Sequence, residues 1–253
     1  MPILRRDDAE IYFEEYGAGF PVLLLAPGGM GSVISNWFAE PGNRFGHYHD
    51  WTKVLADRYR VVAMDQRNAG RSKGEVSPAH GWHTFAEDQL AVMDHLGCER
   101  FHVIGASIGC SFSLKLSDIA PARIVSAVLQ NPAGFNPEHP EVYPEKFAAW
   151  VEEMTAKQRQ LDPAALAGFH DNMWGGGFVF SLDRDVVKSL TLPILVMPGN
   201  DAPHPEPISR ELTELAQGTE RLDNWVRPDF DQEQRDAVSD FLDKNTPKGD
   251  SQS

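Results

Sequence analysis

Gly105-Ala106-Ser107-Ile108-Gly109 is the stretch on which the reading of this chain turns. It lies between the apolar run Phe101 to Ile104 and an amphipathic segment reaching about Ile119, so a strand ends and a helix begins across it. Small residues two before and two after Ser107 permit a tight turn that lifts the serine above the sheet in a strained conformation. Its hydroxyl would then stand at a helix N-terminus, where developing negative charge is stabilised. The residues allow two readings: an exposed nucleophile, or a helix-capping serine flanked by packing glycines.

Working outward, short apolar runs alternate with helical patterns. Val22 to Leu25 is apolar throughout, as expected of a strand covered on both faces. Arg60 to Met64, Ile124 to Leu129, Pro193 to Met197 and Arg221 to Trp225 read as further strands. Helices are expected over Trp51 to Tyr59, over 83–96, over Pro207 to Ala216 and over Gln232 to Leu242. Ala9 to Tyr16 alternates with period two and reads as the edge strand of a hairpin closing through Gly19 to Pro21. The alternation predicts an α/β class fold, a mostly parallel central sheet flanked by helices. From Gly134 to about Leu190 the strand rhythm breaks in favour of helix formers, aromatics and the run Gly175-Gly176-Gly177, which predicts a small helical cap insertion. The expected division is a core over 1–133, a cap over 134–190, the rest of the core over 191–245, and a flexible tail over 246–253.

Composition narrows the function classes. The chain has 253 residues, 42% of them apolar, and 23 Lys+Arg against 37 Asp+Glu give a net charge of −14. A chain of this length can hide roughly 70–75% of its unfolded surface without disulfides or metals. The acidic balance disfavours nucleic acid and anionic membrane surfaces, since each phosphate contact needs a cation to neutralise it. Cys98 and Cys110 are the only cysteines, too few for a disulfide framework or a zinc site, and read as small buried apolar side chains. The start MPILRRDDAE has no apolar signal region, and no apolar run approaches the ~18–20 residues of a membrane span. A cytoplasmic location is expected, and self-association as a homo-oligomer is left open.

A second motif, Pro27-Gly28-Gly29-Met30-Gly31, follows the first buried strand. Acyl transfer needs two N–H groups aimed at an oxyanion, one from the residue after the nucleophile and one from an earlier loop. Ile108 and Gly29 fit those positions, with Met30 as the alternative. A dinucleotide site fits poorly, because the glycines lack G-x-G-x-x-G spacing and no acidic residue ends the next strand at the required distance.

These two motifs, with Asp65-Gln66-Arg67-Asn68-Ala69-Gly70-Arg71-Ser72 between them, resemble the α/β-hydrolase superfamily over residues 22–110. Pro27 stands where that family usually has His, and Asn68 where it has Gly. The resemblance implies that Asp65 is architectural and that the acid follows the strand before last, where Asp201 lies in PGNDAPHP. The family's other acid position reads Asn131, which carries no charge. The resemblance also implies a histidine after the last strand, but that loop reads Val226-Arg227-Pro228-Asp229-Phe230-Asp231, and no histidine follows His204.

His204, three residues after Asp201, is the best placed of the nine histidines to act as base; its other reading is a turn residue anchoring the helix from Pro207. His47, His49, His80 and His83 lie on loops near strand ends, whereas His95 and His102 fall within a helix and a strand and read as structural. Trp37, His47, Trp150 and Trp174 are candidates for the pocket wall, with the insertion's own core as the other use of its aromatics. The expected function is hydrolysis of a small ester, lactone, amide or carbon–carbon substrate by Ser107, Asp201 and His204, with no cofactor and a small molecule as partner. The alternatives are cofactor-free lyase or ring-opening chemistry, or a silent ligand-binding member.

Overall fold

A computed structural model describes residues 2–38, 42–157 and 160–248. Six strands run parallel: β3 (Phe20–Leu25), β4 (Tyr59–Met64), β6 (Phe101–Ala106), β7 (Ile124–Gln130), β8 (Ile194–Met197) and β9 (Thr219–Arg221). β1 (Ile3–Arg5), β2 (Ala9–Tyr16) and the short β5 (Lys73–Gly74) add antiparallel pairings at one side. The order across the sheet is β1-β2-β4-β3-β6-β7-β8-β9, with β5 on β2. The expected α/β class and mostly parallel sheet are therefore present.

Alternate residues of the central strands feed two cores. In β3, Leu23 and Leu25 face one layer together with Val103, Phe112 and Leu116, while Val22 and Leu24 face the other with Trp51, Val238 and Phe241. Helices α2 (Trp82–His95) and α3 (Ile108–Ile119) cover the first face; α1 (Trp51–Val54) and α8 (Asp231–Asn245) cover the second. Cover on both sides is why these strands read as unbroken apolar runs. Three helices, α4 (Val142–Ala156), α5 (Pro163–Trp174) and α6 (Arg184–Ser189), lie between β7 and β8, and α7 (Glu206–Leu215) lies between β8 and β9.

Three local expectations are corrected. β2 and β3 do not form a hairpin: β4 separates them, with Phe13 opposite Met64 and Val22 opposite Val61. β3 is apolar on both faces and takes the interior place between β4 and β6, whereas β2, with the half-buried Glu10 and Glu14, stays near the edge. The helix after Trp51 stops at Val54, because the N–H groups of Arg58 and Tyr59 both bond back to Leu55 and turn the chain directly into β4. The last strand covers 219–221 rather than 221–225, since Trp225 turns inward, donates from Nε1 to the Pro198 carbonyl at 3.0 Å and stacks on Tyr48. Of the expected tail, residues 249–253 lie outside the described residues, and α8 runs to Asn245. No described helix is long and apolar enough to cross a membrane.

Candidate active site

Steric crowding shapes the turn around Ser107. A Cβ at Gly105 would stand 2.2 Å from the Gly109 carbonyl oxygen, and one at Gly109 would stand 2.0 Å from that of Leu25. Only glycine at both positions lets β6 pass into α3 against β3. Ser107 itself takes φ 55°, ψ −118°, a conformation that L residues rarely adopt and that costs of order 1–3 kcal/mol. Its N–H donates to the Gln130 carbonyl at 2.9 Å, and its carbonyl accepts from Cys110 at 3.0 Å. The strained residue is thus clamped from the neighbouring strand and the helix it starts.

The hydroxyl meets an imidazole. Ser107 Oγ lies 2.7 Å from His204 Nε2, across 97 positions of sequence. His204 Nδ1 lies 2.6 Å from Asp201 Oδ1, and the His204 main-chain N–H donates to the same oxygen at 3.0 Å. The short turn from Asp201 to His204 closes on itself as an antiparallel bridge, which presents the acid and the ring together at the C-terminal end of β8. With Nδ1 protonated and donating to the carboxylate, Nε2 is left as an acceptor for the serine O–H, the arrangement that proton transfer from Ser107 requires.

Solvent reaches this array from one side. The Asp201 side chain is 58% exposed, against 12% for His204. A cavity of about 610 Å³, lined among others by Asn136, Phe178, Arg184 and Ile208, opens against Asp201. Partial burial pushes the Asp201 carboxyl up, but the hydrogen bond and charge of His204 outweigh it and hold the group below its usual range. Burial lowers the pKa of His47 first, and the charge of His204 lowers it further. Burial keeps the Tyr48 and Tyr143 phenols and the Cys110 thiol neutral by raising each pKa.

Gly29 and Met30 form a 3₁₀ turn with Gly31 directly after β3, on which α4 packs. Ile108 is the first residue of α3, and N–H groups in a first helical turn have no partner within the helix. Both loops expected to supply N–H groups thus sit at the ends of adjacent strands, β3 and β6.

The remaining candidates divide. Trp37 is buried beside Tyr48 in the core layer of Trp51, with ring centroids 6.0 Å apart. Trp150 packs between Phe147 and Phe169, within the helical segment. Trp174 stacks on Tyr143 at 4.9 Å, and the Tyr143 hydroxyl donates to the Pro203 carbonyl at 2.6 Å, next to His204. His49 turns to the Asp231 carbonyl, His80 pairs with Asp8, and His83 is exposed. Asp65 is buried and taken up by the Ile34 N–H at 2.8 Å and by Arg71, an architectural use. Nothing in the local sequence marked Tyr48 as a neighbour of the site; it is one aromatic in an aromatic-rich loop, and only packing brings it here.

Comparison with known proteins agrees with this architecture. Residues 21–173, more than half of the chain, match the family model described as alpha/beta hydrolase fold. A protein of Azorhizobium caulinodans named as a carbamate hydrolase, RutD, is 33% identical over 131 residues, 52% of this chain and 44% of that protein. The chain spans less than half the length of this relative and of the other RutD proteins it matches. Among solved structures, the enol-lactonase from Burkholderia xenovorans LB400 superposes with a TM-score of 0.64 at 20% identity, covering 96% of this chain and all of that one. The meta-cleavage product hydrolase from Pseudomonas fluorescens IP01 superposes at 0.68 and 17% identity, covering 94% and 96%. With its strand order, its sharp turn at Ser107 and the matched family model, the chain belongs to the α/β-hydrolase fold family.

Proposed function

We propose that the protein is a serine hydrolase of small acyl substrates, an ester, lactone, amide or carbamate, or an activated carbon–carbon bond. The observation that carries this reading is the continuous contact from Ser107 Oγ through His204 to Asp201, at 2.7 and 2.6 Å. Ser107 attacks the carbonyl carbon while His204 Nε2 takes its proton, and Asp201 orients the ring and stabilises the imidazolium. The amides of Ile108 and of Gly29 or Met30 receive the charge that forms on the carbonyl oxygen. His204 returns the proton to the leaving group, and water, deprotonated by the same ring, releases the acyl group from Ser107.

The base comes from an unusual place. Residues 226–231, where the family resemblance implies the histidine, instead hold Arg227 paired with Asp231. His204 takes over from the loop after β8, so acid and base share one short turn. The segment 134–190 serves as the cap, tied to that turn through Tyr143, with Trp174 behind it. Relatives and structural neighbours named as carbamate hydrolase, enol-lactonase and meta-cleavage product hydrolase support the reaction class. The reading is of a cytoplasmic enzyme that needs no cofactor.

A fluorophosphonate probe tests it. Wild-type protein is expected to be labelled, and Ser107→Ala and His204→Ala are expected to lose labelling while keeping their far-ultraviolet circular dichroism. Unlabelled wild-type protein would sink the reading in favour of a silent binding member. Labelling that survives His204→Ala at full rate would remove His204 as base.

A further inference from the structure

Asn131 sits at the C-terminal end of β7, buried, with φ 56°. Its side-chain Nδ2 lies 3.1 Å from His204 Nδ1 and 3.3 Å from the Tyr48 hydroxyl oxygen. His204 Nδ1 therefore has two partners: a largely exposed carboxylate on one side and a buried amide on the other.

Hydrogen bonding decides which end of that amide faces the ring. A half-turn about χ2 exchanges Oδ1 and Nδ2 with almost no change in heavy-atom positions. Nδ1 carries the proton whenever Nε2 accepts from Ser107, so a second N–H pointed at it would set two donors against each other. With Oδ1 facing the ring, one oxygen accepts from both Nδ1–H and the Tyr48 O–H. The opposite end of the amide and the His204 carbonyl oxygen lie 2.5 and 2.4 Å from the point where a Gly199 side chain would begin, a space that only glycine leaves open.

We infer that Asn131, held by Tyr48, is a positioning residue: it shares the Nδ1 proton of His204 with Asp201, fixes the tautomer in which Nε2 faces Ser107, and supports the imidazolium from the buried side. In use as a base His204 rests on the reading given above; the hydrogen-bonded arrangement does not. The charged and titratable groups around the ring are Asp201 and His47, whose charges reach it, with Tyr48, Tyr143 and Cys110 neutral nearby and Lys146 within electrostatic range of Asp201.

A purely structural use of Asn131 exists, because asparagine tolerates positive φ. Asn131→Gly separates the two, since glycine keeps the backbone and removes only the amide. The test follows the His204 ring by NMR titration in wild type, Asn131→Gly and Asn131→Asp, alongside kcat/KM for p-nitrophenyl acetate against pH. Asn131→Asp places a carboxylate beside Nδ1 and is expected to raise the His204 midpoint by about one unit or more. The acid limb of the pH profile should move up with it. Asn131→Gly is expected to lower the midpoint and to cut kcat with little change in KM. In an Asp201→Ala background, Asn131→Asp should restore activity at least about tenfold. An unchanged midpoint in both single variants, or a wild-type pH profile in Asn131→Gly, overturns the inference. The NMR shifts need no turnover, so a wild-type protein that fails to react with fluorophosphonate yet shows them loses the proposed function and keeps this contact.

Discussion

Replacing Asp201 by Asn should slow the reaction roughly a hundredfold, and the geometry says why it is not more. In the proposed mechanism the carboxylate's electrostatic role is to stabilise the imidazolium that forms as Ser107 loses its proton. With charge centres ~4 Å apart, that attraction is ~4 kcal/mol at an effective dielectric constant of 20 and ~1 kcal/mol in bulk water. The Asp201 side chain is 58% exposed, so screening places it between these limits, at about 2–3 kcal/mol. At about 1.4 kcal/mol per factor of ten, the expected loss is ~30–150-fold in kcat/KM. A fully buried acid in this role is worth ~10⁴. The assay is kcat/KM on p-nitrophenyl acetate together with the second-order rate of fluorophosphonate labelling, at low and at high salt. High salt should narrow the gap between wild type and Asp201→Asn, since an exposed pair is screened. A loss under threefold would refute the role of Asp201. A loss near ten-thousandfold, insensitive to salt, would refute the argument from exposure.

Other consequences concern the frame of the site. Arg67 clamps the buried Asp88 through two bonds of 2.8 and 2.9 Å, so Arg67→Met, which leaves that carboxylate only Arg6 at 3.1 Å, should cost about 3 kcal/mol in urea unfolding. Gly109→Ala forces a methyl group onto the Leu25 carbonyl oxygen, and a fall in thermal midpoint matching about 3 kcal/mol or more is expected; an unchanged midpoint would contradict the packing described. His102, buried between Ser126 and Thr246, has its pKa lowered to about 4 by burial, against the opposing charge of Asp243. Its neutral form is the one the fold favours, so its contribution is complete above about pH 6.5 and is lost as pH falls toward 4, on the order of 3 kcal/mol. Stability curves of wild type and His102→Gln over that window should converge at the acid end.

Short-range rules carried much of the reading. The turn at Ser107 is legible because two glycines must flank it and because a β-branched run and a helical pattern adjoin it. The parallel sheet is legible because strands covered on both faces must be apolar throughout. Pairing partners are another matter: β2 alternates as an edge strand would, but only the cover demanded by β3 puts β4 between them. The aromatic segment 134–190 likewise announces helices, not which ring packs inward and which stands near His204.

By itself the sequence determined a sheet–helix fold, a strained serine on its rim, and a loop at 226–231 without the histidine that the family resemblance implies. These are matters of local sterics and residue spacing, which need no long-range contact to be read. Only the tertiary structure decided that His204 reaches Ser107 across 97 positions, that Asp201 holds it from the solvent side, and that Asn131 meets it from the buried side. The ends of β6, β7 and β8 come together because their apolar faces must be buried side by side, and that packing of distant segments leaves no mark on any one of them.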